Sequence, residues 1–112
     1  MNFSKLMPAV MLLLLGGGYA TVASAVDADA AQSLLKKSGC LKCHAVDKKK
    51  EGPAFKETAA KYKGKAEAEA ELVKFVTTSP KVKVDGKEES HEALKTKNEA
   101  EARNAVQWIL SR

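Results

Sequence analysis

The chain has 112 residues, of which 45% are hydrophobic and 29% are charged, and its formal net charge is +5. This length allows one small domain, and the composition suits a soluble globular chain. The positive charge is diffuse and is not interleaved with aromatic residues, which argues against a nucleic-acid-binding surface. The sequence also has no glycine-rich phosphate loop and no internal repeat.

The N-terminal segment has the three-part layout of a secretory signal peptide. One cation, Lys5, precedes an apolar run over residues 6–15, and residues 23–25 form the small-x-small pattern Ala-Ser-Ala. The apolar run is short for a membrane span, and an uncleaved anchor is the competing interpretation. We therefore predict a cleaved signal peptide over residues 1–25 and an exported domain over residues 26–112.

Removal of the signal peptide changes the chemistry that the chain has available. All three methionines (Met1, Met7 and Met11) would be lost, and the loss of Lys5 would lower the formal net charge from +5 to +4. The remaining 87 residues bury only a thin core, and domains of this size often need a covalent link or a cofactor. The cysteines and histidines that remain are Cys40, Cys43, His44 and His91.

The first half of the exported domain predicts two short helices. Residues 26–39 form the first, with Asp27 or Asp29 as the cap at its start and a glycine at its end. A polar loop follows, and residues 55–62 predict a second helix that ends near Gly64.

The second half predicts a third helix and then a long loop. Residues 65–77 are rich in Ala, Glu and Lys, and a Ser-Pro pair ends this helix. Residues 79–97 have no helical stripe, although lysine and valine alternate over residues 81–84, which allows a short extended piece, and Asp85-Gly86 is a turn signal. We predict a functional loop with at most one helical turn, because so long a loop in a small domain usually has a function.

The last helix is predicted over residues 98–111. Asn98 caps it, and Glu101 lies three residues on, as in a capping box. Apolar residues then follow at helical spacing. No segment is clearly a strand, so the predicted fold class is all-α, with four to five short helices and long loops.

The most informative motif is Cys40-x-x-Cys43-His44, which follows the first helix. Two thiols three residues apart both reach the vinyl groups along one haem edge, where each forms a thioether bond. His44 then lies beneath the iron and supplies an imidazole nitrogen as an axial ligand. The export signal agrees with this assignment, because c-type haem is attached outside the cytoplasm in bacteria. We therefore predict one covalently bound haem c and a periplasmic location.

Three other functions of these residues fit the sequence less well. A thioredoxin-like dithiol would need βαβ units, which the sequence does not predict. A structural disulfide between Cys40 and Cys43 would close too short a loop to stabilise much of the chain. A zinc site that adds His44 and His91 would have the right number of ligands, but adjacent Cys43 and His44 are poorly placed to bind one tetrahedral ion.

The chain resembles the small bacterial class I cytochromes c over roughly residues 28–112. The matching segments are residues 38–45, Gly52-Pro53-Ala54-Phe55, Lys61-Tyr62-Lys63-Gly64, residues 68–72 and residues 107–111. The resemblance implies that the first and last helices cross, with Leu35 near Trp108 or its neighbours. It also implies that the Pro53 carbonyl accepts a hydrogen bond from the far nitrogen of His44, which orients the imidazole and raises its basicity.

The chain departs from this family at the sixth iron ligand. The family usually supplies a methionine sulfur from the loop that corresponds to residues 79–97, and this loop has no methionine. His91 lies in the loop, 17 residues before Trp108, and is the best remaining ligand. The alternatives are a solvated surface role for His91, a lysine of the loop, which would have to lose its proton, Asn98, or five-coordinate iron.

The sixth ligand decides the expected function. Two imidazoles stabilise ferric iron more than imidazole and thioether do, so we predict a lower potential than in a His/Met relative. With both positions filled, the protein is a one-electron carrier and not an enzyme. If His91 binds weakly or leaves on reduction, the protein would instead bind a diatomic gas such as oxygen, nitric oxide or carbon monoxide.

Four lysines lie in or near the haem motif: Lys42, Lys48, Lys49 and Lys50. The hypothesis is that they surround the exposed haem edge and steer an acidic redox partner. The competing interpretation is an ordinary solvated loop.

Overall fold

The computed structural model describes residues 16–18 and 25–112. The predicted signal peptide of residues 1–25 therefore lies outside the described residues, apart from residues 16–18 and 25. In chain order the elements are α1 (Ala28–Lys37), a 3₁₀ turn (Cys40–Lys42), α2 (Phe55–Tyr62), α3 (Ala68–Thr78), β1 (Lys81–Val84), β2 (Lys87–Ser90) and α4 (Glu99–Leu110). The four predicted helices all form, each within three residues of its predicted bounds. None of the helices in the described ranges has the length and apolar character that a bilayer span requires.

Side-chain caps start the first and last helices. The Asp27 carboxylate accepts from the Ala30 backbone N–H at 3.0 Å, and the Asn98 side chain accepts from the N–H groups of Ala100 and Glu101 at 2.9 and 3.3 Å. Each cap satisfies donors that the first turn of a helix leaves unpaired. The sequence prediction placed both caps correctly.

The second half of the predicted capping box is wrong. The Glu101 carboxylate accepts from the Thr96 hydroxyl instead of reaching back to the Asn98 N–H. The Thr96 hydroxyl oxygen in turn accepts from that N–H at 3.0 Å. A threonine two residues before the cap therefore takes the position that the glutamate would otherwise occupy.

The predicted loop over residues 79–97 contains a β-hairpin, which the prediction of no clear strand missed. β1 and β2 pair antiparallel, with Val84 opposite Lys87 and Lys81 opposite Ser90. The two residues between them, Asp85 and Gly86, have φ of 49° and 79°. This is the left-handed conformation that a tight hairpin turn requires and that an Asp-Gly pair adopts readily. The alternation of lysine and valine therefore indicated a strand, and no helical turn forms here.

Helix α4 is central and packs against α1, α2 and α3. Its buried residues are Ala102, Ala105, Val106, Trp108 and Ile109. Leu35 and Trp108 belong to the same buried cluster, and Phe55 meets Trp108 edge-on with ring centroids 6.0 Å apart. Leu94, from the segment between β2 and α4, completes this core.

Asn104 on α4 holds the start of α1. Its side-chain amide donates to the Asp27 carbonyl at 2.8 Å, and its side-chain oxygen accepts from the Asp27 N–H at 2.9 Å. The two bonds join positions 77 residues apart in sequence. These bonds hold α4 against the N-terminal end of α1, which is the end away from the cysteines.

We expect Asn104→Ala to lower the free energy of unfolding by about 1 kcal/mol, because it removes two hydrogen bonds that are partly open to water. Denaturant unfolding of the exported domain measures this change. Gln32→Ala is the matched control, since Gln32 is exposed and donates only to Ala28 within its own helix. Equal stability of the two variants would contradict the role given to Asn104.

Candidate functional site

The turn after α1 places both cysteines and His44 at one cavity. Gly39 ends α1 with φ of 76°, and the 3₁₀ turn then brings the His44 N–H within 3.0 Å of the Cys40 carbonyl. Both cysteines are half-buried and carry free thiols. Cys40, Cys43 and His44 line a cavity of about 540 Å³, which is the size of a ligand pocket.

The loop after the motif fixes the orientation of the His44 ring. Its Nδ1 lies 2.6 Å from the Pro53 carbonyl oxygen, which is the contact that the family resemblance implied. A carbonyl oxygen only accepts, so Nδ1 carries the proton and Nε2 keeps a free lone pair. Phe55 stacks on the ring with centroids 5.4 Å apart and planes 19° apart. His44 is therefore held on two sides with one nitrogen free to bind a metal.

The backbone of Gly52 lies against this ring. A Cβ atom at residue 52 would overlap Cε1 of His44 and lie 2.9 Å from each ring nitrogen. The backbone of Gly52 donates to the Cys43 carbonyl at 2.8 Å, which keeps the loop against the motif. No side chain fits at this position without moving the imidazole.

His91 comes to the same cavity from the other end of the chain. It follows β2, and its N–H donates to the Pro80 carbonyl at 2.8 Å, which closes the base of the hairpin. The centroids of the His91 and His44 rings are 6.1 Å apart. Phe75 of α3 lies against His91 with a centroid distance of 4.8 Å. The long loop therefore brings the second histidine to the first.

The state of His91 suits a metal ligand. Burial lowers the pKa of its imidazole below the usual value, and the nearby His44 lowers this pKa further. A lowered pKa favours the neutral ring, which is the form that a metal-binding imidazole must take. Its Nδ1 is buried and has no hydrogen-bond partner among the described residues.

The separation of the two rings can be compared with that of two ligands of one ion. Imidazole nitrogens bind first-row metals at about 2 Å, so two imidazoles on opposite sides of one ion have ring centroids roughly 6 Å apart. The observed 6.1 Å agrees with this value. Apolar side chains of Leu35, Leu72 and Leu94 line an adjoining cavity that both histidines share. The residues present therefore fit a flat apolar group with a metal at its centre.

The thiols do not have the properties of a redox dithiol. Burial raises the pKa of the Cys40 thiol. A hydrogen bond from the Cys43 thiol to the Glu51 carboxylate, at 3.3 Å, raises the pKa of Cys43. A reactive dithiol needs a lowered pKa on one cysteine. In residues 25–112, no group of three or more His, Cys, Asp or Glu side chains is arranged to hold a metal ion.

One of the four predicted lysines, Lys42, contributes to the lining of the cavity. The Lys50 ammonium donates to the Leu41 carbonyl at 2.8 Å. Lys48 and Lys49 are exposed, and Lys49 pairs with His44 in an isolated β-bridge. Other lysines also line the cavity, and these are Lys36, Lys37, Lys83 and Lys95.

Three residues of the site were missed by the sequence analysis. They are Gly52, whose backbone contacts His44, Phe75, which contacts His91, and Ser38, whose side-chain oxygen accepts from the Lys95 N–H at 2.8 Å. The glycine beside Pro53 was a usable signal for a close approach. The other two depend on contacts between distant segments.

Comparison with known proteins agrees with the site. The family model for cytochrome c matches residues 28–112. The chain belongs to the cytochrome c family. Cytochromes c of this family carry one covalently attached c-type haem, and they are electron carriers and not enzymes.

Individual relatives give the extent of the similarity. The chain is 44% identical over 69 residues to cytochrome c-551 of Pseudomonas aeruginosa, a match that covers 62% of this chain and 65% of the relative, just under two thirds of its length. It is 36% identical over 83 residues to cytochrome c-551 of Azotobacter vinelandii, covering 71% of this chain and 94% of the relative. The crystal structure of the class 1 cytochrome MtoD from Sideroxydans lithotrophicus ES-1 superposes with a TM-score of 0.74 at 50% identity, covering 78% of this chain and 97% of that one. The predicted class I cytochrome c fold is therefore confirmed, and the hairpin is an element that the sequence analysis did not predict.

We expect Gly52→Ala to displace His44, because the added methyl group cannot fit beside the ring. The expected result is a shifted proton NMR signal of the His44 Nδ1–H in the reduced holoprotein, together with a changed visible spectrum. Gly64→Ala is the control: residue 64 has open space but a φ of +78°, so it should lose about 1 kcal/mol of stability to backbone strain and keep the spectrum. An unchanged His44 signal in Gly52→Ala would contradict the steric argument.

Proposed function

We propose that this protein is an exported, periplasmic one-electron carrier in which His44 and His91 are the two axial ligands of a covalently bound haem. The observation that carries the proposal is the 6.1 Å separation of the two imidazole rings beside the free thiols of Cys40 and Cys43. The haem iron supplies a one-electron redox couple when it is bound. The location rests on the predicted signal peptide of residues 1–25.

The cysteines and His44 provide the fixed side of the proposed site. Cys40 and Cys43 form the two thioether bonds, for which both thiols must be reduced and reachable from the cavity. His44 presents Nε2, while Pro53 holds the opposite nitrogen at 2.6 Å. A carbonyl on the far side of a metal-binding imidazole fixes its tautomer and raises its basicity.

His91 provides the second axial nitrogen. The chain has no methionine after residue 11. The exported domain therefore lacks the sulfur ligand that this family usually has, and His91 takes its place. Two imidazoles favour ferric iron, and the expected potential lies below that of a His/Met relative with similar exposure. Filling both axial positions leaves no place for a substrate, which is the property of a simple carrier.

One observation favours a second candidate function, the binding of a diatomic gas. The two histidines are held unequally: Nδ1 of His44 has the Pro53 carbonyl, whereas Nδ1 of His91 has no partner among the described residues. A ring without this hydrogen bond is less firmly oriented and is a weaker base. Release of His91 on reduction would open a position for carbon monoxide, nitric oxide or oxygen.

We expect His91→Ala to change the holoprotein from low-spin to high-spin iron in both oxidation states, because the variant loses its sixth ligand. Visible and near-infrared spectra measure the change. Lys95→Ala is the matched control, since Lys95 lines the same cavity and carries an amine, which is the competing kind of donor. Spectra that His91→Ala leaves unchanged would exclude His91 as the ligand. Carbon monoxide binding by the reduced wild-type protein would favour the gas-binding function.

The loop lysines are proposed to guide an anionic redox partner. We expect Lys48→Glu/Lys49→Glu to slow electron transfer to ferricyanide about tenfold at low ionic strength, and salt to remove the difference. Lys63→Glu/Lys65→Glu is the control with the same change in net charge, placed between α2 and α3. Equal slowing in both double variants, measured by stopped-flow absorbance, would show an effect of net charge alone.

A further inference from the structure

The segment that carries His91 is tied to the fold at three points. At its start, the His91 N–H donates to the Pro80 carbonyl at 2.8 Å. In its middle, the Leu94 N–H donates to the Val76 carbonyl at 2.9 Å. At its end, the Lys95 N–H donates to the side-chain oxygen of Ser38 at 2.8 Å. Two of the three acceptors are backbone atoms, and only the third depends on the identity of a side chain.

Ser38 is unusual among the polar residues of the chain. It is the buried polar residue of the described part, with 1% of its surface exposed. It caps the C-terminus of α1, where its N–H donates to the Leu34 carbonyl. It also lies two residues before Cys40. A buried hydroxyl at this position therefore joins the haem-attachment turn directly to the segment of the second histidine.

This link matters because His91 has little else to hold its ring. Its Nδ1 has no hydrogen-bond partner among the described residues, and its aromatic neighbour Phe75 is itself 37% exposed. The hairpin before it is two-stranded, and such hairpins are only marginally stable in water. The position of the ring is therefore set mainly by the backbone of residues 91–95.

We propose that Ser38 is a positioning residue for His91: its hydroxyl anchors Lys95 and thereby keeps the second imidazole within reach of the iron. The inference rests on the proposed function, since it concerns the strength of that axial ligand. Ser38 touches neither His91 nor the reacting atoms. Its effect is to slow the opening of the segment that carries the ligand.

The test is the rate at which cyanide binds the ferric holoprotein, because cyanide enters only when the sixth ligand leaves. We expect Ser38→Ala to raise this rate about tenfold, as the loss of one hydrogen bond to a partly buried N–H would. Asn104→Ala is the control, because it also removes hydrogen bonds between α1 and another segment but at the opposite end of α1. It should bind cyanide at the wild-type rate within twofold, at a temperature well below both unfolding midpoints.

The outcomes separate this inference from the proposed function. If Ser38→Ala and Asn104→Ala both bind cyanide at the wild-type rate while His91→Ala loses its low-spin spectrum, the positioning role is wrong and the ligand assignment stands. If His91→Ala leaves the spectrum unchanged, both fail. Amide hydrogen exchange of the reduced wild-type holoprotein tests the anchor even if Ser38→Ala does not fold: the Lys95 N–H should be protected, and exchange at the unfolded rate would overturn the proposal.

Discussion

The rest of the structure depends on one arrangement: the centroids of two imidazole rings lie 6.1 Å apart. His44 and His91 lie 47 residues apart in sequence. The first histidine is placed by the turn after α1, and the second by a hairpin that starts where α3 ends. Helix α4 brings these segments together, because it packs against α1, α2 and α3 at once.

The two histidines differ in how many contacts fix them, and this difference shapes the chemistry that the site allows. His44 has a carbonyl at 2.6 Å, an aromatic ring stacked on it and a glycine backbone against it. Among the described residues, His91 has a buried nitrogen without a hydrogen-bond partner, and the tilted ring of Phe75 lies beside it. The proposed site therefore pairs one histidine that several contacts fix with one that fewer contacts fix. This difference is what separates the two proposed functions, a simple electron carrier and a gas-binding protein.

Most of the helical fold could be predicted from the sequence, because its signals are local. Asp27 and Asn98 cap helices through contacts within three residues, and the helix over 55–62 has the predicted bounds. The lack of a helical stripe over residues 79–97 led to the prediction of a loop and not of a hairpin. The alternation of lysine and valine over residues 81–84 and the Asp-Gly turn are the two signals of the hairpin in the sequence. The capping box failed in its second half because Thr96 competes for Glu101.

The haem motif and His91 were recognisable as candidates, whereas the contacts that position them were not. Cys40, Cys43 and His44 are adjacent, and their spacing alone points to the chemistry. Ser38 and Phe75 act across 57 and 16 residues of sequence, respectively, and such pairs have no periodic signal in a single chain. A serine at the end of a helix is ordinarily explained by local capping. The hydrogen bond that its hydroxyl oxygen accepts from the Lys95 N–H, together with its burial to 1% exposure, shows a distant partner. His91 can be chosen as a candidate ligand from composition, whereas the contacts that position it are a property of the tertiary structure.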